Sequence, residues 1–529
     1  MGIAETIRGR SSGIRSRRGV DARSRLPQAD VCLIVEGCYP FVPGGVSAWI
    51  DWLFRSEPDA TFSVVTLWPK RGPLQPRYQL PANVVGLDLL YLQDFGAAPA
   101  RHRSAGTQVQ RLGDALVDFL EQGSIERFHS VTEQLKAVRS TAPLERLFNS
   151  PLAWEVIRHM YERMMPHGSF LHFFWAWRAL LGGLFATVEF ALPRASLYHT
   201  ISTGYAGLLA ARAGLETGRP VVLTEHGIYT NERRIEILMA DWVADTVDKG
   251  HNLADARFDI RDMWMRAFEA YARACYGGCA RITTLYDDNQ RAQRFLGADP
   301  ARLQVIANGI DVSRFAEVTP AGQGDRPTMA LIGRVVPIKD VKTYITTASL
   351  LRERVPELRA WVLGPLDEDP GYVGECRALV DELGLAGCVE FAGAVNVVDY
   401  LSQIHVVVLS SLSESQPLVV LEAGAAGLPF VATNVGSCRE ILEGRPDEHP
   451  PLGAGGLVTN VVAPAEIADA VAVLLADATM RARFGQSLKA RVKRYYTSEQ
   501  AAAAYGKLYR DLIGNSGRAQ SPSAAGGEA

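Results

Sequence analysis

Short apolar runs rich in valine and isoleucine recur along the chain, separated by stretches whose apolar positions repeat at helical spacing. In the first half the runs fall at 31–37, 62–67, 84–91, 196–201, 221–224 and 281–285, and RLQVIANGID (302–311) closes that half. In the second half they fall at 328–332, 359–363, 389–392, 406–409, 430–433 and 456–458. Runs of four to eight apolar residues without alternation predict strands buried on both faces. Helical patterns lie between them, for example at 341–354 and 371–383, and at 231–277 in the first half. Strand and helix alternating at this spacing predict parallel, doubly wound sheets, one in each half.

Two stretches depart from the alternation. From about 108 to 192 the pattern is helical with no strand of comparable quality, which predicts a helical insertion in the first domain. Within it, 170–192 is apolar and long enough to cross a bilayer, but His172, Arg178 and Glu189 interrupt it. A central arginine costs about 2.5–3.5 kcal/mol on insertion. A buried helix, or a helix hairpin broken at Gly182-Gly183, is therefore expected. The second departure is 313–327, rich in glycine, proline and charge, which reads as the linker.

At 529 residues the chain is too long for one core, so two domains are expected. The reading is a basic tail at 1–28, a first domain at 29–318, a second at 325–492, a closing amphipathic helix at 493–514 and a disordered tail at 515–529. The composition, 47% hydrophobic and 21% charged, is that of a globular protein. A net charge of −3 argues against nucleic acid as partner, which demands a basic footprint. Seven cysteines, with Cys275 and Cys279 the closest pair and no second pair beside them, form neither a disulfide framework nor a zinc site. Reduced thiols and a cytoplasmic location follow as expectations. The N-terminal stretch carries Arg8, Arg10, Arg15, Arg17, Arg18, Arg23 and Arg25 and no apolar core for a signal peptide. It reads as a disordered tail able to touch anionic lipid, with an organelle transit peptide as the alternative.

The chemistry concentrates at SLSESQPLVVLEAGAAGLPFVAT (411–433). Glu414 falls on the loop after a buried strand. Glu422 falls about one and a half turns into a helix that Pro417 opens and Gly427 ends. Two carboxylates, which only accept hydrogen bonds, suit the vicinal diols of a sugar-nucleotide. The plainer alternative is one carboxylate at a helix start and one on a solvated face. GRVVPIKD (333–340) places Arg334 and Lys339 between a strand and the start of its helix, where the dipole is already positive. Cations there make sense if a diphosphate binds between them. In the first half, Gly44-Gly45 follow the first strand and open a helix, a layout that brings backbone N–H groups to a phosphate, though a tight turn would look the same. His226 follows a buried strand directly, at the end where open α/β sheets hold ligands. Asp367-Glu368-Asp369 resembles a metal-binding D-x-D but reads better as a hydrated acidic loop.

Together these pieces resemble the retaining GT-B glycosyltransferases of family 4. The shared motifs are Gly44-Gly45-Val46, Asn308-Gly309-Ile310-Asp311, Gly333-Arg334 with Lys339, and Glu414 with Glu422-Ala423-Gly424-Ala425-Ala426-Gly427-Leu428-Pro429. Gly424 is a small departure, since bulkier residues are common there. Within that family, EGCYPFVPGGVSAWI and TEHGIYTNER are similar to the Pel exopolysaccharide glycosyltransferase subgroup. The resemblance covers roughly 30–514 and implies the following. Two Rossmann-like domains face a central cleft. Arg334 and Lys339 hold the donor diphosphate, Glu422 the ribose hydroxyls and Glu414 those of the transferred sugar. The Gly44-Gly45 loop approaches the diphosphate or acceptor, and His226 lies beside the donor sugar. Asn308 and Leu418 complete the substrate contacts. The reaction expected is transfer from a nucleotide sugar, with UDP-sugar the expected donor, to a growing polysaccharide, with no metal and no resident cofactor. A membrane export complex is the expected partner, which would make the protein peripheral to the inner membrane. Three alternatives stay open: a sugar-nucleotide epimerase, a glycogen-synthase-like enzyme, and a non-catalytic nucleotide-binding subunit.

Overall fold

The computed structural model describes residues 14–16, 28–94, 106–139, 148–239, 258–322 and 324–519. Most of the basic tail, parts of the insertion and of the 231–277 helices, and the last residues of the C-terminal tail lie outside the described residues. The chain divides into two units. The first is Met1–Thr284 with Asn289–Gln304 and Gly506–Ala529, and the second is Leu285–Asp288 with Val305–Tyr505.

In the first unit eight strands form one sheet: β1 (Ile14–Ser16), β2 (Ala29–Glu36), β3 (Phe62–Trp68), β4 (Val84–Tyr91), β5 (Ala195–Thr200), β6 (Val221–Glu225), β7 (Arg281–Thr284) and β8 (Leu303–Val305). Their order is β1-β4-β3-β2-β5-β6-β7-β8. The chain therefore builds outward from β2 in one direction and then returns to build from its other side. β1 lies in the stretch expected to be a disordered tail. Its backbone pairs in parallel with Leu87–Leu89, covering what would otherwise be an open sheet edge.

The insertion between β4 and β5 is helical where described, with helices at Gly106–Gln122, Ile125–Arg139, Pro151–Met164 and Phe170–Glu189. The last of these is one continuous helix, so the hairpin alternative is set aside. Gly183 does not break it. A Cβ there would lie 2.4 Å from the ring of Tyr205, so the glycine makes room for that tyrosine. Tyr205 in turn donates to the carbonyl of Leu180 at 3.0 Å. Arg178 is accommodated by stacking over Phe148 and donating to Asn149 Oδ1 at 3.0 Å. This is the one helix among the described residues long and apolar enough to cross a membrane, and 61% of its apolar window is buried inside the protein.

The second unit's sheet comprises β9 (Thr328–Ile332), β10 (Arg359–Leu363), β11 (Val389–Gly393), β12 (Val406–Leu409), β13 (Phe430–Thr433) and β14 (Gly456–Thr459), ordered β11-β10-β9-β12-β13-β14. Every pairing is parallel. Because strand side chains alternate in direction, Met329 and Leu331 enter one apolar cluster while Ala330 enters another on the opposite face. The Asn308–Asp311 segment belongs with this unit. Ile310 bridges in parallel to Thr497, and a Cβ on Gly309 would lie 2.1 Å from the Thr497 carbonyl oxygen. Glycine is needed there for the close approach of two backbones.

The closing helix runs Ser498–Ala519, with residues to Tyr505 in the second unit and those from Gly506 in the first. Within the first unit, Tyr509 is buried and its hydroxyl lies 2.7 Å from His199 Nδ1.

Candidate functional site

In an open doubly wound sheet, ligands bind beyond the carboxyl ends of the strands where the order reverses. In the second unit that point lies between β9 and β12. The loops leaving these two strands carry Arg334, Lys339 and Glu414.

Backbone and hydroxyl bonds fasten the two loops to each other. The Ser410 hydroxyl reaches the carbonyls of Lys339 at 3.0 Å and Asp340 at 2.9 Å, and the Leu412 amide donates to the Ile338 carbonyl at 2.9 Å. Asp340 adopts φ 45°, a left-handed conformation that aspartate tolerates better than most residues, and caps the helix Val341–Arg352 through Thr343 N. With both backbones held, Lys339 Nζ meets Glu414 Oε1 at 2.5 Å, with side-chain exposures of 18% and 14%. Ser411 Oγ donates to the same carboxylate oxygen at 2.7 Å.

From the other side Gly436 (φ +52°) supports the loop. A Cβ there would lie 2.1 Å from the Ser415 carbonyl oxygen and 2.5 Å from that of Glu414. The next residue, Ser437, donates its amide to Ser415 O at 2.8 Å. Sequence reasoning missed Ser410, Ser411 and Gly436. Two serines and a glycine in a loop carry no periodic signal, and their role exists only once β12 and β13 are neighbours.

Arg334 and Glu422 have other charged neighbours. Arg334 Nη1 pairs with Glu368 Oε1 at 2.5 Å, with both side chains about half exposed. Glu422 is half-buried on the helix Leu418–Ala426. Burial raises its carboxyl above the usual range, and the Arg314 charge partly offsets that. Leu418 is exposed in the first turn, and no side chain caps this helix. The Asn308 amide donates to Gln416 Oε1 at 2.7 Å, which ties the Asn308–Asp311 segment to the Glu414 loop. The acidic loop is accounted for structurally. Asp369 caps the helix Pro370–Glu382 through Tyr372 N at 3.0 Å, and Glu368 holds Arg334. Gly424 also has a packing reason: a Cβ there would lie 2.6 Å from Leu488 Cγ.

In the first unit the order reverses between β2 and β5. Gly44 is extended and Gly45 opens the helix Gly45–Ser56, with no side-chain cap. A Cβ at either would meet nothing within 4 Å. Neither neighbours nor backbone angles require glycine there, so the bare approach to the helix start is a property of the sequence. Trp49 on that helix packs edge-on against His226, with ring centroids 4.6 Å apart. Burial lowers the His226 imidazole to about 4, so it is neutral at physiological pH.

Two carboxylates flank the His226 turn, Glu225 buried and Glu36 half-buried. Glu36, at the end of β2, accepts from Tyr229 OH at 3.1 Å, Ala206 N at 3.3 Å and Ser202 Oγ at 3.4 Å. It thus places an anion at the start of the helix Tyr205–Thr217. Glu225, at the end of β6, accepts from Tyr276 OH at 2.8 Å, Gln293 Nε2 at 3.0 Å and Tyr229 N at 3.2 Å. Neither glutamate was singled out from sequence, because an acidic residue at a strand end carries no mark of burial.

Residues 29–301 match the family described as "Domain of unknown function (DUF3492)", and residues 326–477 match the family described as "Glycosyl transferases group 1". The chain is 31% identical over 238 residues to D-inositol 3-phosphate glycosyltransferase 2 of Catenulispora acidiphila, covering 41% of this chain and 54% of that protein. It is 30% identical over 230 residues to D-inositol 3-phosphate glycosyltransferase of Paenarthrobacter aurescens, covering 41% and 53%. It thus spans about half the length of these curated relatives. The crystal structure of Anabaena HepE in complex with UDP is similar with TM-score 0.53 at 14% identity, over 91% of this chain and 99% of that one. Sucrose-phosphate synthase from Thermosynechococcus elongatus gives TM-score 0.54 at 17% identity, over 92% and 99%. These likenesses show a shared GT-B fold built from two Rossmann-like units.

Proposed function

The chain belongs to the DUF3492 family and carries a group 1 glycosyl transferase domain after it, and from that premise we propose that it is a retaining glycosyltransferase using a UDP-sugar. The observation that carries this reading is the Lys339–Glu414 pair at the switch point of the second sheet. It stands beside an uncapped helix start at Leu418 and the half-buried Glu422. A cation, open backbone donors and carboxylate acceptors are the three kinds of group that a nucleoside diphosphate sugar requires.

In the proposed reaction the bond between the anomeric carbon and the donor phosphate oxygen breaks through an oxocarbenium-like transition state, and the acceptor oxygen bonds to that carbon from the same face. Negative charge grows on the leaving UDP. Lys339 and Arg334 stabilise that charge at fixed positions, which is the main source of acceleration in such sites. Glu422 accepts hydrogen bonds from the ribose hydroxyls and Glu414 from hydroxyls of the transferred sugar. His226, neutral at physiological pH, contacts the transferred sugar, and Asn308 and Leu418 line the donor. The Gly44-Gly45 turn admits a phosphate or the acceptor to a bare helix start. The acceptor proton passes to the donor phosphate, and no metal or resident cofactor is proposed.

The finer reading is an acceptor of the Pel exopolysaccharide type, with the enzyme acting in the cytoplasm beside a membrane export complex. It rests on the motifs around Gly44-Gly45 and His226. The names of the two curated relatives add inositol phosphate to the acceptors to be tried. UDP release should be measured from UDP-glucose, UDP-galactose, UDP-N-acetylglucosamine and UDP-N-acetylgalactosamine, with the wild type and Glu414→Ala. Turnover lost in the variant is the expected result. Equal turnover in both removes Glu414 from the site, and elongated product, rather than free epimer, separates transfer from epimerisation.

A further inference from the structure

The turn that carries His226 is held from beneath by a carboxylate that the proposed chemistry does not use. Glu225 is 1% exposed, yet each of its oxygens has a partner. Oε2 accepts from Tyr276 OH and Gln293 Nε2, on two different helices, and Oε1 accepts from the Tyr229 amide at the far end of the turn. Its own carbonyl accepts from Thr284 Oγ1 on β7 at 3.3 Å. As the structure stands all three groups donate to the carboxylate, the arrangement that an ionised Glu225 requires. A protonated carboxyl has to donate to the Tyr276 oxygen and reverse that bond, because Gln293 Nε2 and the Tyr229 amide can only donate.

We propose that Glu225 is a positioning residue: its carboxylate, clamped by Tyr276, Gln293 and the Tyr229 amide, sets the shape of the 225–229 turn and so the direction in which His226 is presented. This rests on the reading of His226 as a residue of a glycosyltransferase site. Glu225 touches no substrate. It acts through its chain neighbour, whose ring is fixed on its other side by Trp49.

The geometry has a titration attached to it. Burial raises Glu225 from 4.5 to about 7, against the lowering effect of Gln293, Tyr276 and the Tyr229 amide. The ionisable groups facing it are Glu232 on the helix that follows the turn, and Tyr276 and Cys275 on the helix Ile260–Gly278. Glu232 is itself raised by burial, toward the range of Glu225, whereas the thiol and phenol are raised away from it, so the Glu225 variant is what assigns the limb. His226, near 4, is neutral across it. Turnover should therefore rise with pH through about 7 as Glu225 ionises.

Stability runs the other way. The native carboxyl holds its proton to higher pH than the unfolded one, so this group's contribution to stability falls between about 4.5 and 7 and is level above. A purely structural glutamate would make activity follow stability downward, whereas a positioning glutamate makes the two diverge.

The experiment measures kcat and KM for the turned-over UDP-sugar from pH 5.5 to 9, with thermal unfolding in parallel, on wild type, Glu225→Gln, Tyr276→Phe and His226→Ala. In the wild type kcat rises through about pH 7. Glu225→Gln keeps KM but loses about 10²-fold in kcat, the scale of a displaced reacting group, and its limb near 7 disappears. Tyr276→Phe removes one donor and moves the limb to higher pH. A limb near 7 that persists in Glu225→Gln, or a loss of activity that only tracks unfolding, overturns the proposal. If Glu225→Gln fails to fold, an unmoved limb in Tyr276→Phe overturns it equally. Unchanged turnover in His226→Ala, or no turnover of any UDP-sugar by the wild type, overturns the functional reading instead.

Discussion

Lys339 Nζ and Glu414 Oε1 stand 2.5 Å apart, a cation and an anion paired where the strand order of the second sheet reverses. The pair is 75 positions apart in sequence and is made by two loops stitched together through Ser410 and Leu412. A nucleoside diphosphate that uses Lys339 must draw it away from Glu414.

That competition has a measurable consequence. Glu414→Gln leaves the lysine without its neutralising partner, so UDP should bind more tightly, by about 10-fold if some 1.4 kcal/mol of pairing is released. Turnover should fall in the same variant, because in the proposed reaction the carboxylate also serves the transferred sugar. Isothermal titration with UDP checks the first part, and weaker UDP binding would show that the pair does not guard the site.

Lys339→Ala removes the charge that the proposed reaction sets against the departing phosphate. A loss of about 10²–10³ in kcat is expected, with unfolding temperature lowered as well, since Glu414 is left largely buried without its partner. Steady-state kinetics at saturating donor separate the two effects.

Gly436→Ala tests the loop support. Its Cβ would have to displace the carbonyl oxygens of Ser415 and Glu414, and φ +52° is itself unfavourable for alanine. Turnover should drop more than 10-fold while the sheet stays folded, a comparison that far-UV circular dichroism and UDP release make together.

Arg491 and Glu448 provide a control away from the chemistry. Arg491 is fully buried and meets both carboxylate oxygens, at 2.7 and 2.8 Å, and also the carbonyls of Ile441 and Gly453. Removing the guanidinium by Arg491→Ala should cost about 3–5 kcal/mol. Burial alone would raise the Glu448 carboxyl, but Arg491 and the Leu452 amide outweigh it and hold it below its usual range. The pair therefore stabilises the protein above that usual range and is lost as pH falls through the depressed value. Denaturant titrations at pH 7 and pH 3 should show the difference between wild type and variant shrinking at the lower pH.

What the order of residues determined by itself was the alternation of buried strand and helix. β9, β10, β12 and β13 coincide with the runs at 328–332, 359–363, 406–409 and 430–433, because a strand covered on both faces is apolar along most of its length. The same logic located Glu414 on its loop and Lys339 at the turn before its helix, since both follow directly from where a strand stops. Gly182-Gly183 misled because glycine can break a helix or let a neighbour approach. Only the position of Tyr205 decides which.

What the tertiary structure alone decided was pairing. That Lys339 meets Glu414 while Arg334 meets Glu368, and that Gly436 supports the Glu414 loop, depends on which strands become neighbours. So does the clamp on Glu225, whose donors come from Tyr276 and Gln293 on separate helices. Hydrogen bonds and ion pairs act over a few ångströms in space, whereas periodicity records only each segment's exposure to water. Contacts between distant segments, and the chemistry they create, therefore arise when the sheets form.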